Sequence, residues 1–416
     1  MHDSVRGTPS RRRPSVFTAT AITAALALLV SSCSSSVDNG SAVKATNNAA
    51  PGGAVNVALL DVGNYPTKPS PPLGTAGTAQ LGAIVEGQRM ANYVTGPWEV
   101  DPSLIRFYAN SAVVLKNAAA LKFVLPEALA APASRHDFVA GFYTAREDVD
   151  RKMLQNAVLR FPDPAAAAAA AADFSAAAAS EAVLIPPVAP VPILGHPDTT
   201  AFSHTFEQPA KNLRWTVLRA FTAHGPYVLV QLAQATDSAD TAAALIAKTL
   251  DVQGPLIEQF TPTDAAKLAD LPIDPTGLLA RTLPVSPDDA SVNQRTVYQP
   301  HGALQFQTDP HRAATLFDKA GMTHQASAAT LVYEARDAHG AQVIADGFFA
   351  EVSATGKPAG AVKQMPTSRC LDLSQGKVAS FYCLATADRY TIEAQAAQLL
   401  DAQQKTAAQY AMLTTP

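Results

Sequence analysis

A short pattern occurs twice in this chain, and it constrains the fold more than any single residue does. Val158-Leu159-Arg160-Phe161 leads into Asp163-Pro164 and an alanine-rich stretch to about Ala182, and Leu304-Gln305-Phe306 leads into Asp309-Pro310 and a stretch through Ala313, Ala314, Leu316 and Phe317 to Ala320. In both, the aspartate can accept from free N–H groups of a helix's first turn, and proline at the next position lacks only an N–H that the helix leaves unbonded. Each copy then reaches an Ala-His-Gly tripeptide between apolar runs. These are Thr216 to Thr222, Ala223-His224-Gly225 and Tyr227 to Ala233, then Ala329 to Ala335, Ala338-His339-Gly340 and Ala341 to Phe348. Both are predicted to be hairpins with glycine in the turn. A helix is predicted after Asp237 in the first copy and after Tyr390 in the second, the latter running from Thr391 to about Leu413. The order strand, helix, hairpin, helix defines an α+β class, with two related units, each an antiparallel or mixed sheet with helices packed on one face. Internal duplication is one explanation. The other is that Asp-Pro helix starts and glycine turns are common punctuation.

The first copy is the longer, and its surplus falls in an Ala/Pro-rich insertion near 175–205 that includes the proline-rich Ile185 to Pro197, expected as an extended loop. The alanine octet Ala165 to Ala172 favours helix but offers no bulk, so it forms either a close-packing face or a solvated one. The Pro- and Asp-rich Thr261 to Ser291 suggests a boundary near 275, giving an N-terminal domain over 54–275 and a C-terminal domain over 276–416. Earlier elements are predicted as a strand near Val55 to Leu60, a helix from about Thr78 to Val94 ended by Gly96-Pro97, strands at Leu104 to Tyr108 and Phe138 to Thr144, and a helix around Glu147 to Gln155.

The chain's start reads as an address. Arg6, Arg11, Arg12 and Arg13 precede fifteen uncharged residues, Val16 to Val30. A spanning helix needs about twenty apolar residues, so residues 1–32 are expected to be a cleaved signal peptide. Ser31-Ser32-Cys33 fits a bacterial lipobox, in which the Cys33 sulfur takes a diacylglycerol and becomes the new N-terminus. Residues 33–53 are then the lipidated cysteine and a flexible Ser, Asn, Ala and Gly tether that cannot offset its ordering entropy. Two or three acyl chains, palmitate among them, at about 0.8 kcal/mol per buried methylene make a stable anchor. The expected location is the extracytoplasmic face of the cell membrane. Removing residues 1–32 takes away four arginines and one aspartate, so the formal charge goes from −4 to −7. An acidic body argues against a nucleic-acid partner.

Lipid on Cys33 leaves one pair of cysteines in a compartment that permits disulfides. With Gly376-Lys377 as a two-residue turn, Gln375 faces Val378 and Cys370 faces Cys383, at an expected Cα separation of about 4.5 Å, within bridging distance.

Tests for chemistry give no site. There is no G-x-S-x-G and no H-E-x-x-H, and the glycines near Gly74, Gly77 and Gly82 lack a phosphate-loop lysine. His196, Asp198 and His204 match no metal-ligand spacing. The turn histidines His224 and His339, and the acid pairs Glu147-Asp148 and Asp288-Asp289, are explained by polar surface. Glu86 and Arg89 are explained by an ion pair within the first helix. No catalytic residue, no metal and no cofactor is assigned.

Asp61-Val62-Gly63-Asn64-Tyr65-Pro66-Thr67, Glu86-Gly87-Gln88-Arg89-Met90-Ala91, and Asp401-Ala402-Gln403-Gln404-Lys405 with Ala408-Gln409-Tyr410, taken with the lipobox and the cysteine hairpin, resemble the envelope lipoproteins of mycobacteria and related actinobacteria. Those are built of an N-terminal and a C-terminal domain of unknown function. The resemblance implies a membrane lipoprotein and carries no catalytic residues. Two functions follow as expectations. One is a non-enzymatic binding or accessory module for an envelope lipid, peptide or protein partner. The other is an envelope hydrolase or transferase whose site would draw on His136, His196, His204 or His311.

Overall fold

The computed structural model describes residues 55–180, 188–286 and 288–415. Cys33, the signal peptide, the tether and the start of the proline-rich loop lie outside the described residues.

Two seven-stranded antiparallel sheets carry the fold. The first holds β1 (Arg106–Leu115), β2 (Ala140–Asp148), β3 (Lys152–Arg160), β4 (Ala189–Pro190), β5 (Thr200–Gln208), β6 (Leu213–His224) and β7 (Tyr227–Ala235), in the order β1-β2-β3-β7-β6-β5-β4. The second holds β8 (Thr296–Tyr298), β9 (His324–Ser327), β10 (Leu331–Glu334), β11 (Lys357–Ala359), β12 (Arg369–Asp372), β13 (Phe381–Ala387) and β14 (Tyr390–Ala396), in the order β11-β12-β13-β14-β10-β9-β8. The helices are α1 (Ala79–Met90), α2 (Pro97–Val100), α3 (Glu127–Arg135), α4 (Pro164–Ser180), α5 (Ala239–Ile257), α6 (Pro300–Leu304), α7 (Pro310–Ala320), α8 (Ala338–Val352) and α9 (Leu399–Thr414).

The α+β class stands, and helices cover both faces of each sheet rather than one. Strand side chains alternate between faces. Phe142, Leu154, Leu229 and Ala233 point toward Ala242, Leu245 and Ile246 of α5, and Tyr143, Ala157, Leu159, Phe221 and Val230 point toward α4. The alanine run is a close-packing face, with Ala167, Ala170 and Ala171 buried. In the second sheet, Ala345 of α8 meets Leu371, Tyr382 and Leu384 on one face, and Ala402 and Ala407 of α9 meet Cys370, Cys383 and Ala385 on the other. The α5 side of the first sheet and the α7 and α8 side of the second share one core, in which Phe142 and Ile246 belong with Tyr298, Phe317, Tyr333 and Phe348.

Both Asp-Pro starts behave as predicted. Asp163 Oδ1 accepts from Ala166 N at 2.8 Å, and Asp309 Oδ1 from Arg312 N at 3.0 Å. Ala223-His224-Gly225 is a hairpin turn, with His224 paired to Tyr227 and Gly225 at φ 53°. Ala338-His339-Gly340 is not. It forms the first turn of α8, where Asp337 Oδ1 accepts from Gly340 N at 2.8 Å. Ala341, Ile344, Ala345 and Phe348 then bury one stripe at helical spacing. The second hairpin is β9–β10, one element earlier, and Leu304 ends α6 instead of closing a strand.

Three further predictions change. Glu147 to Gln155 is the β2–β3 hairpin, with Asp150 at φ 62° in its turn and Asp148 paired with Lys152. Thr391 starts no helix; it lies in β14 between β13 and β10, and the final helix begins at Leu399. Val55 to Leu60 holds a single 3-10 turn, Val57–Leu59, whose Ala58 N–H bonds the Asn56 side chain.

Candidate functional site

A recess joining apolar and cationic side chains runs along α1. Thr78 caps this helix by accepting from Leu81 N at 3.2 Å. Two glycines let it lie close to its neighbours, because a Cβ on Gly82 would sit 2.1 Å from the Leu268 carbonyl oxygen and one on Gly87 2.6 Å from Val114 Cγ1. The packed face of α1 includes Ala83, Glu86, Gly87 and Met90. Leu81, 44% exposed, is left facing outward with the half-buried Ile84 and Val85.

Across from Val85 stand Leu271, Pro272 and Ile273 and, from edge strand β8, Thr296 and Val297. The cleft between measures about 290 Å³. Val85 and Ile273 also line a second recess of about 190 Å³, completed by Leu81, Ile84, Val292, Lys116 and Arg295. The wall holding Val292 and Arg295 is tied down. Gln88 Nε2 donates to the carbonyls of Val292 (2.9 Å) and Gln294 (3.1 Å). The Asn293 amide pairs with the edge of β1 as another strand would, donating to Ala112 O at 2.8 Å and accepting from Val114 N at 3.1 Å.

The charges are unevenly engaged. Arg89 Nη1 donates to Glu86 (2.5 Å) and to Thr263 Oγ1 (2.8 Å). The intrahelical pair foreseen from spacing is therefore present, but it belongs to a larger group. Glu86 is fully buried and also bonds Arg160 of β3 and the backbone N–H of Thr263. By contrast, among the described residues no side-chain hydrogen bond or ion pair engages Lys116 or Arg295. At the far end of the cleft, His324 Nδ1 faces Glu334 at 3.3 Å. The recess thus joins an apolar floor to two uncommitted cations, a combination that suits an acyl chain ending in an anionic group.

The histidines of the enzymatic reading occupy separate neighbourhoods. His136 faces Asp173 at 2.8 Å and His196 faces Asp251 at 3.0 Å. His204 sits on β5, where burial, reinforced by nearby Arg219, lowers its pKa, and His311 lies in α7. His196, Asp198 and His204 form no metal cluster, and no group of three or more candidate ligands exists among the described residues. Cys370 and Cys383 are bridged, as register partners with Cα atoms 4.1 Å apart, and Gln375 pairs with Val378 as the turn geometry requires. Two quoted motifs meet in space: Tyr65 Oη donates to Asp401 Oδ1 at 2.5 Å and Gln404 Nε2 to Asp61 Oδ1 at 3.0 Å. Burial and Asp401 together push the Tyr65 phenol up to about 12. Sequence reasoning missed Lys116 and Arg295, because 179 positions separate them and neither sits in a motif.

The architecture is that of a two-sheet α+β body with a lateral cleft. Residues 73–273 match the family model for the N-terminal domain of unknown function DUF7373, and residues 278–415 match its C-terminal counterpart. This chain belongs to the DUF7373 family. Comparison with curated proteins gives no match. Among solved structures, the extracellular domain of PknH from Mycobacterium tuberculosis is similar over 40% of this chain and 94% of that one, at 14% identity and a TM-score of 0.28. No helix among the described residues is long and apolar enough to cross a membrane.

Proposed function

We propose that this protein is a lipid-anchored binding module of the actinobacterial cell envelope, tethered through Cys33 on the extracytoplasmic face, and that the α1 cleft receives an amphiphilic anion. The observation that carries the reading is the pair of uncommitted cations, Lys116 and Arg295, beside the apolar Leu81, Ile84, Val85 and Ile273. The anchor rests on the charged start, the fifteen-residue apolar run and Ser31-Ser32-Cys33. The ligand class rests on the chemistry of the recess, since an acyl chain replaces water over the apolar floor and a carboxylate or phosphate supplies the missing counter-charge.

Native mass spectrometry of residues 34–416, exported from a mycolic-acid-bearing host, tests the cleft. A retained extra mass of lipid size, lost when Lys116 and Arg295 are replaced by glutamate, is the expected result. A bare protein that also fails to take up added dodecyl phosphate or laurate overturns it. Metabolic labelling with a clickable palmitate analogue tests the anchor, and label surviving in Cys33→Ala would refute it.

A further inference from the structure

A third recess, about 400 Å³, opens on the α4 side of the first sheet, at the end that α4 does not cover. Its base follows one cross-strand row, in which Glu147 faces Met153, Met153 faces Gln234 and Gln234 faces Val217. Met153 and Val217 are buried with Leu232, and the half-buried rings of Tyr108 and Phe206 pack against that floor. Phe206 stands directly opposite Trp215, their planes 12° apart and centroids 6.3 Å apart. Trp215 Nε1 donates to Gln208 Oε1 at 3.1 Å, fixing the indole and leaving the Gln208 amide NH₂ uncommitted.

The polar lining is open for partners. Among the described residues, no side-chain hydrogen bond or ion pair engages Glu147, Gln234 or the Tyr108 hydroxyl. The one cation in the lining, Lys211, is held by Asp150 at 2.5 Å. Glu207 faces Arg214 at 3.6 Å, which leaves Glu147 as the carboxylate of the lining with no ion-pair partner among the described residues. With Glu147 unpaired and Lys211 already held, the recess disfavours phosphates and uronic acids, the reverse of the α1 cleft.

We infer that this recess binds a neutral sugar residue of a glycan. Aromatic faces accept the C–H face of a pyranose or furanose ring, whose edge hydroxyls need carboxylate and amide partners around it. Glu147, Gln234 and Gln208 supply both acceptors and donors. A proline-rich peptide also favours aromatic walls, but it reads a row of shallow slots with few polar groups. Here the polar groups ring a single hollow. The site is separate from the α1 cleft, and nothing in the inference depends on that cleft's ligand.

Saturation-transfer NMR on residues 34–416 tests it, with an N-acetylglucosamine tetramer, mannotetraose, a glucuronate-containing hyaluronan tetramer and a deca-proline peptide as probes. Transfer to a neutral oligosaccharide, with none to the glucuronate probe, is the expected result. Quenching or enhancement of Trp215 emission should follow the same titration and vanish in W215F. Phe206→Ala and the double variant E147Q/Q234A, which leaves the aromatic pair in place, should each weaken binding about tenfold or more. The inference is overturned if no neutral sugar binds, if binding survives both sets of changes, or if only the acidic sugar or the peptide binds. To separate a cell-wall polymer from a free oligosaccharide as the natural source, insoluble cell wall is co-sedimented with wild type and E147Q/Q234A. Loss of sedimentation in the variant identifies the polymer, and equal sedimentation of both assigns the site to free oligosaccharide.

Discussion

The two sheets have the same strand number and the same helix cover, yet they are secured by opposite means. The first contains no disulfide and buries charge. Arg160 is paired with Glu86, while Arg146 on β2 is fully buried and makes no direct ion pair with a carboxylate among the described residues. The Arg146 guanidinium instead donates to main-chain carbonyls, Ile105 at 2.7 Å, Gln305 at 3.0 Å and Gln307 at 2.8 Å, and lies over the Phe107 ring at 4.0 Å. Burial pulls its pKa down to about 10, and Asp309 opposes that shift. Gln305 and Gln307 follow α6, so this cation links the first sheet to the segment between α6 and α7. The second sheet is stapled locally, by a covalent bond between residues only 13 positions apart. The lesson is one of range. Buried charge ties the first sheet to distant segments, whereas the disulfide ties two adjacent strands to each other.

The largest effect should come from breaking the first arrangement on one side only. Glu86→Ala strands Arg160 in the core and should lower unfolding free energy by about 3–5 kcal/mol, read by urea denaturation. Removing both charges in E86L/R160M should recover much of that loss, since a hydrophobic pair needs no desolvation. A double variant as unstable as E86A would show that the ion pair is irreplaceable.

Removing the staple should cost less. Cys370→Ala with Cys383→Ala frees a short loop and should destabilise by about 3 kcal/mol in the chain-entropy model. Hydrogen exchange sharpens the contrast, because faster exchange should be concentrated in β12 and β13, with β2 and β3 unchanged. An equal rise in both sheets would show that the staple acts globally. Smaller still are the two helix starts. Asp163→Ala and Asp309→Ala each delete one capping hydrogen bond, for an expected loss of about 1 kcal/mol apiece. A much larger loss at Asp309 would mean that its charge also serves Arg146.

The same contrast marks what was legible in the sequence. Local signals survived: Asp-Pro caps, the Gly225 and Gly376 turns, and the Cys370–Cys383 register all depend on residues a few positions apart. Ala-His-Gly failed at its second occurrence because a tripeptide does not decide between turn and helix start. Asp337 before it and the stripe from Ala341 to Phe348 after it do. Thr391 looked like a helix cap, yet its side chain is buried and donates to Ala341 O at 2.7 Å, a contact 50 residues away. The cleft was illegible for the same reason, since Lys116, Ile273 and Arg295 meet only once the halves of the chain are folded together. Glu86 was visible as half of an i,i+3 pair, but Arg160, its buried partner, was not.

Titration offers the finest test, because two histidines should respond in opposite directions. Burial alone would lower the pKa of His301 on α6, but Glu99 at 3.0 Å and the Asn92 carbonyl at 2.9 Å outweigh it, and the net shift is upward. A raised value means that the folded state holds the proton more tightly. Its contribution is complete below the unfolded value of about 6.5 and fades as pH rises through the folded value. His204 on β5 is shifted downward, so the folded state resists protonation and is penalised as pH falls below about 6.5. Thermal unfolding across pH 5 to 8 should therefore show H301Q losing part of the wild-type decline on the alkaline side and H204Q losing part of the decline on the acid side. If H301Q left the alkaline limb unchanged, the Glu99 contact would be too solvent-screened to link α6 with α2, and Arg146 would be left as the principal charged tie between the first sheet and the segment that follows α6.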